Sequence, residues 1–424
     1  MVKKPLQNLF LLKKLAELGD VQEKFLYVVG LSNKLMKLRK STRKITIVAL
    51  LILIVILGIG GYIIFQQQAQ NDHQQDQNGQ QSNGYWSHTF HHDAARTGYS
   101  ISTGPLTNQT LWTYLTQMQI EYSSPAVVDG VAYFGSNDHR VYAVNATAGG
   151  EIWRYLTGNS VESSCTVVDG VVYFGSHDYN VYALDAATGD KIWNFPTEGQ
   201  VYSTPAVVDG VVYVGSRDKK VYALDASTGN EMWSYLTSNS VWSSPAVVNG
   251  VVYVNSHDTA YALNAATGKE IWNFFAWGPL YSSSAVVNGR VYFCASNTVY
   301  ALDAANGEKI WNYTTGNRVE SSPAVANNLV YVGSNDHNVY AFDAATGNKI
   351  WNYTTGNAVN GSPTVANGVV YIGSKDYNVY ALDASTGSKI WSYTTGNWIE
   401  STPSIANGIL YIGSNDAKVY AFGS

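Results

Sequence analysis

From residue 110 onward, apolar and polar residues alternate in short runs broken by Asp/Asn-Gly and Thr-Gly pairs. A period of two with turn chemistry between the runs predicts strands joined by tight hairpins. The pattern then repeats itself. Tryptophan returns at Trp112, Trp153, Trp193, Trp233, Trp272, Trp311, Trp351 and Trp391, at spacings of 39 to 41 residues. A tripeptide ending in Tyr-Ala keeps step with it, eight times from Val141-Tyr142-Ala143 to Val419-Tyr420-Ala421. The third copy predicts strands over 202–208, 211–216, 220–226 and 231–237. Four antiparallel strands in about 40–45 residues is the period of a propeller blade.

The phase of the repeat predicts how the ring closes. The array begins with a lone outer strand at 111–116 and ends on a third strand at Phe422, so the first fragment completes the last unit. Closure removes the exposed sheet edges that invite aggregation. The expectation is an all-β, eight-bladed β-propeller over 110–424.

Upstream the pattern changes. Residues 45–65 are apolar without a charge, long enough to cross about 30 Å of hydrocarbon as one helix. Lys34, Lys37, Arg39, Lys40, Arg43 and Lys44 precede this run, and the next basic residue after it is Arg96. That asymmetry predicts a single-pass protein of the cell membrane, N-terminus cytoplasmic and propeller extracytoplasmic. A cleaved signal peptide fits less well, because the basic region is long and no A-x-A-like site follows. Residues 1–44 form a basic segment with leucines at helical spacing, suited to lying on an anionic leaflet. The Gln/Asn-rich stretch 66–84 reads as a tether, and 85–109 as a leader packing on the propeller.

Composition narrows the function. Residues 1–44 hold 11 Lys/Arg against 3 Asp/Glu, whereas the whole chain carries a formal charge of −5, so the large domain is acidic. A phosphate-binding face needs the opposite sign, which argues against nucleic acid as a partner. Two cysteines, Cys165 and Cys294, give neither a disulfide framework nor a C-x-x-C pair and read as small buried hydrophobes.

Within each unit Ala, Gly and Trp keep a fixed A-x5-G-x3-W spacing, as in Ala183, Gly189, Trp193 and in Ala341, Gly347, Trp351. The small residue and the turn glycine leave room for the indole to dock on the neighbouring blade. This motif resembles the tryptophan-docking motif of the pyrroloquinoline quinone (PQQ) repeat family, and the likeness covers 110–424. Residues 86–100 (WSHTFHHDAARTGYS) look like the leader of membrane-anchored surface propellers in archaea and some bacteria. The family includes PQQ-dependent dehydrogenases and non-catalytic scaffolds, such as the propeller of outer-membrane barrel assembly, so the resemblance specifies fold more than function. Its dehydrogenases use a vicinal Cys-Cys element and a calcium ion held by acidic and amide side chains. Cys165 and Cys294 lie three blades apart, which leaves quinone chemistry as the alternative reading and no cofactor as the expected one.

Comparison among the copies points to a site. Loops on one face are monotonous, whereas the residue before the Ser-Ser-Pro signature varies: Tyr122, Glu162, Tyr202, Trp242, Tyr281, Glu320, Asn360 and Glu400. One such residue per blade faces the central channel, with Arg318 and Trp398 two positions upstream at the rim. Aromatic and acidic side chains around one cavity suit a sugar, a cation or a peptide, and the partner expected is a protein or carbohydrate ligand. Other motifs favour structural readings. Asp138, Asp178, Asp218, Asp336, Asp376 and Asp416 repeat in a Gly-Ser-x-Asp turn, where Asp bonds its own backbone rather than calcium. His88, His91, His92 and Asp93 read as leader packing rather than a metal cluster. Sequons at Asn108, Asn145, Asn312, Asn352 and Asn360 suit a surface glycoprotein. The combined expectation is a non-catalytic binding or interaction scaffold, with a quinoprotein-like oxidoreductase or a structural envelope component as alternatives.

Overall fold

The structure, a computed structural model, describes Ser87 and residues 89–423. The basic segment 1–44, the apolar span 45–65, the tether 66–84, Trp86 and His88 lie outside the described residues. Among the described residues, no helix is long and apolar enough to cross a membrane.

Eight four-stranded antiparallel sheets form an all-β, eight-bladed propeller. In blade 1 the strands are Ala126–Val128, Val131–Ser136, Arg140–Asn145 and Glu151–Leu156, from the channel outward. Blade 8 closes as the phase of the repeat predicts: Gln109–Leu115 pairs antiparallel with Lys418–Gly423 as its outer strand. Asp209 (φ 51°) and Gly210 (φ 76°) both turn left-handed in the hairpin between the first two strands of blade 3. Two such residues in succession match the right-handed twist of the flanking strands, which explains the recurrent Asp/Asn-Gly.

The innermost strands are shorter than the sequence suggests. Blade 3 has Ala206–Val208 where 202–208 was expected. The backbone N–H of Thr204 donates instead to Ser244 Oγ in the next blade, at 3.0 Å, and Pro205 has no N–H to offer a ladder.

The core lies between blades. One cluster joins Tyr133, Val141 and Trp153 of blade 1 to Val172, Phe174 and Tyr182 of blade 2. A β-bulge beside each of these tryptophans, such as the register shift at Ala223/Leu224 opposite Trp233, rotates the outer strand locally. Each indole Nε1 then donates to a carbonyl of the following unit at 2.8–3.0 Å, for example Trp193 to Ala226. A tyrosine hydroxyl from the same blade reaches the same carbonyl in all eight cases, at 3.0–3.3 Å. The glycine after that carbonyl is required: a Cβ on Gly229 (φ 73°) would stand 2.7 Å from the Trp193 ring. At the seam Pro105 of the leader supplies the carbonyl for Trp391 and Tyr371.

The leader encircles the channel once. The middle N–H of five innermost strands donates to leader carbonyls: Val127 to Ser87, Val247 to Ala94, Val286 to Ala95, Val325 to Thr97 and Val365 to Gly98, at 2.7–2.9 Å. Thr89 meets Thr166 of blade 2, and Ser100 donates to Ile405 of blade 8. Arg96 is fully buried against blades 3 and 4, with its guanidinium donating to the Thr204, Pro205, Pro245 and Phe90 carbonyls and to Thr89 Oγ1. Burial lowers this guanidinium to about 9. His91 is buried beside it and pushed down to about 3, chiefly by desolvation, so it is a neutral packing residue.

Candidate functional site

The Ser-Ser-Pro signature builds the channel wall. The first hydroxyl accepts the N–H that ends its own blade's second strand, as Ser203 Oγ does from Gly215 at 3.1 Å. The second hydroxyl accepts the N–H of its counterpart in the preceding blade. Seven such links, through Ser124, Ser164, Thr204, Ser244, Ser283, Ser322, Ser362 and Thr402, measure 2.8–3.1 Å. This belt satisfies backbone groups that the shortened strands leave unpaired, and it fixes the residue just before it at the channel mouth.

Above the belt lies a well of about 350 Å³, floored by Phe90 of the leader. Tyr122, Glu162, Tyr202, Trp242, Tyr281, Glu320, Asn360 and Glu400 all line it, together with Arg318. Trp398 is not in the wall. It stands half-exposed outside, with the Lys375 ammonium 5.0 Å from its ring.

A second ring, missed in the sequence reading, sits behind the first. The variable x of the Gly-Ser-x-Asp turn falls between successive mouth residues. His177 is 3.8 Å from Glu162 and its ring centroid 4.1 Å from that of Tyr202. Arg217 stacks on Trp242 at 4.6 Å, and His257 meets Tyr281 edge-on. Asn335 donates to Glu320, Lys375 pairs with Glu400 at 2.9 Å, and Asn415 donates to Glu400. The signal was present in the repeat: x reads Asn137, His177, Arg217, His257, Asn335, Lys375 and Asn415, while its neighbours barely change.

The two rings divide the mouth into arcs. On blades 3 to 5, Tyr202 and Trp242 lie 4.6 Å apart and Trp242 meets Tyr281 edge-on at 6.2 Å. On the other arc Glu320 accepts Nδ2 of both Asn335, at 3.2 Å, and Asn360, at 2.7 Å. Glu162 is pushed up to about 8, first by burial and then by the like charges of Glu121 and Glu400. His177 is lowered to about 4 by burial and by Arg217, so it is neutral and supplies no counter-charge.

The remaining sequence candidates have structural surroundings. Asp138, Asp178, Asp218, Asp336, Asp376 and Asp416 each accept a tyrosine hydroxyl, and a backbone N–H from the loop after the outer strand of the preceding unit in the chain. Asp93 accepts the N–H and hydroxyl of Thr97 within the leader. Cys165 and Cys294 are free and buried, in blades 2 and 5, and burial raises both thiols. Asn108, Asn145, Asn312 and Asn352 are exposed. Asn360 is buried in the well wall with its amide on Glu320, leaving no room for a glycan in this arrangement. A quinone–calcium centre of the kind the resemblance implies does not fit these residues. The vicinal cysteines are lacking, and among the described residues no three His, Cys, Asp or Glu side chains converge to hold a metal.

A family model described as "Outer membrane protein assembly factor BamB" matches residues 100–204, 180–284 and 257–422. BamB from Moraxella catarrhalis is similar in fold, with a TM-score of 0.64 and 18% identity over 74% of this chain and 99% of that one. The quinohemoprotein alcohol dehydrogenase of Comamonas testosteroni gives a TM-score of 0.71 and 18% identity, covering 80% of this chain and 81% of the enzyme. The computationally designed Ika8 protein gives 0.67 and 16%, covering 74% and 100%. No curated protein matches the sequence significantly. BamB, an alcohol dehydrogenase and a designed protein at such identities establish the fold alone.

Proposed function

Because the chain belongs to the PQQ-like β-propeller family, whose matched segments run from residue 100 to 422, we propose that it is a non-catalytic binding scaffold whose ligand enters the channel mouth. The observation that carries this reading is the contrast among repeats. Positions that build blades hardly vary, whereas eight mouth positions carry large aromatics, carboxylates and an amide around one blind well. Side chains from separate blades converging on one concavity is the usual construction of a binding site on a rigid scaffold. The recurrent indole contacts suit the docking role that the resemblance implies.

The proposal includes the setting. Residues 45–65 anchor the protein in the cell membrane and 66–84 tether an extracytoplasmic propeller. Protease added to intact cells then removes the propeller and leaves an N-terminal fragment ending in the tether. Protection of the propeller would reverse the orientation. For the ligand, native mass spectrometry of the full-length protein should show a co-purifying molecule that Trp242→Ala with Tyr202→Ala releases. Retention of that molecule would remove it from the mouth.

A further inference from the structure

The acidic arc of the well holds more acceptors than donors. Glu320 takes both of its amide partners by Nδ2, which turns the carbonyl oxygens of Asn335 and Asn360 away from the carboxylate. Asn137 and Asn415 are oriented in the same sense, by donation to Glu121 and Glu400. Reversing any of these amides would set oxygen against carboxylate, so the orientation is fixed by charge. As a result Oδ1 of Asn137, Asn335, Asn360 and Asn415 each lacks a hydrogen-bond partner. Asn360 is 8% exposed and lines the well itself. A buried acceptor without a donor costs about 1–3 kcal/mol, so the one on Asn360 beside the cavity marks what the cavity is short of.

Charge points the same way. Lys375 is engaged with Glu400, and Arg217 lies over Trp242 on the aromatic arc. Arg318 is exposed where it lines the mouth. Among the described residues neither Glu162 nor Glu320 has a lysine or arginine within ion-pair distance. Glu320 and Asn360, whose Oδ1 is unpartnered, therefore line the well on one side of the Tyr202, Trp242 and Tyr281 arc, and Glu162 lines it on the other.

We propose that the well binds an aminoalkyl cation, with its ammonium on Glu320 and Asn360 or on Glu162, at the two ends of the aromatic arc, and its methylene chain against Tyr202, Trp242 and Tyr281. This rests on the mouth being the binding site and adds the chemistry of the ligand. A primary ammonium brings three N–H donors and a charge, which the carboxyl groups and the bare Asn360 acceptor require. A quaternary ammonium satisfies the aromatic wall but leaves the acceptors empty. The volume, about 350 Å³, is far larger than an ammonium alone and accepts an attached chain. A free diamine and a lysine side chain of a partner offer the same chemistry.

The test is calorimetric titration of the full-length protein with cadaverine, the tripeptide Gly-Lys-Gly, choline and maltose. Cadaverine should bind saturably, at least tenfold more tightly than choline, and comparable binding of Gly-Lys-Gly would make a partner's lysine the source of the cation. Glu320→Gln and Glu162→Gln should each weaken cadaverine at least fivefold while melting is measured in parallel, so that an unfolded variant is recognised and the other decides. Equal or tighter binding of choline, or no effect of either glutamine variant, would overturn the inference. Binding of maltose alone, lost in Trp242→Ala with Tyr202→Ala, would overturn the cation and leave the mouth as a binding site. Loss of every ligand effect at the mouth would sink both.

Discussion

The two ends of one channel are built from the same repeats and behave oppositely. At the floor, one leader strand crosses all eight blades and Arg96 finds five acceptors, four of them backbone carbonyls that no blade could satisfy alone. At the mouth, the eight blades contribute aromatic, acidic and amide side chains, and four amide oxygens at or behind it are left without partners. Buried polar groups are normally satisfied, and departures gather where a ligand completes the structure. The floor is therefore the end that folding depends on, and the mouth the end that folding leaves available.

The largest effect expected from this contrast is at the floor. Arg96→Met removes the side chain that reaches the Thr204, Pro205 and Pro245 carbonyls together; Pro205 keeps the Thr166 hydroxyl, whereas the Thr204 and Pro245 carbonyls lose their guanidinium donor. A loss of about 3 kcal/mol or more is expected, read as a large drop in melting temperature. A variant that melts like the parent would mean that the leader rests on the ring without closing it.

Next in size is the wall between blades. Gly229→Ala combines a left-handed backbone with a Cβ 2.7 Å from the Trp193 ring. Loss of about 1–3 kcal/mol is expected, with ligand binding at the mouth unchanged in the folded fraction. Equal loss of binding would show that mouth and wall are coupled.

A smaller effect separates the arcs by pH. The carboxyl of Glu162, faced by Glu121, Glu400, Tyr122, Tyr202, Arg217 and neutral His177, is raised to about 8 in the folded protein. A raised carboxyl favours the protonated folded state, so its contribution is complete below the ordinary glutamate range and is lost as pH rises through about 8. Glu162→Gln should therefore melt at a temperature that falls less between pH 5 and 9 than the parent's does. Parallel curves would mean that Glu162 is ionised at neutral pH.

Much of this was legible in the sequence because repetition makes geometry readable. The Trp spacing set the blade number, the phase predicted that 111–116 would join the last blade, and eight variable positions marked the mouth. What escaped notice lacked a repeat or hid within one. The leader is aperiodic, so nothing in it predicts that Arg96 ends fully buried against blades 3 and 4. The Ser-Ser pair serves in the sequence only as a landmark, yet its hydroxyls take the place of ladder bonds where each inner strand stops short. The x of Gly-Ser-x-Asp was passed over for the constant aspartate beside it. There the varying residue backs the mouth ring, and the constant one accepts a tyrosine hydroxyl and a loop N–H.

The central claim is that the mouth is a ligand site independent of folding. Trp242→Ala with Tyr202→Ala tests it most directly, because both rings line the well and neither belongs to the eight Trp-to-carbonyl hydrogen bonds between units. The account predicts a melting temperature close to the parent's and ligand binding weakened at least tenfold, about 1.4 kcal/mol. Unchanged binding, or a protein that no longer folds, would contradict it.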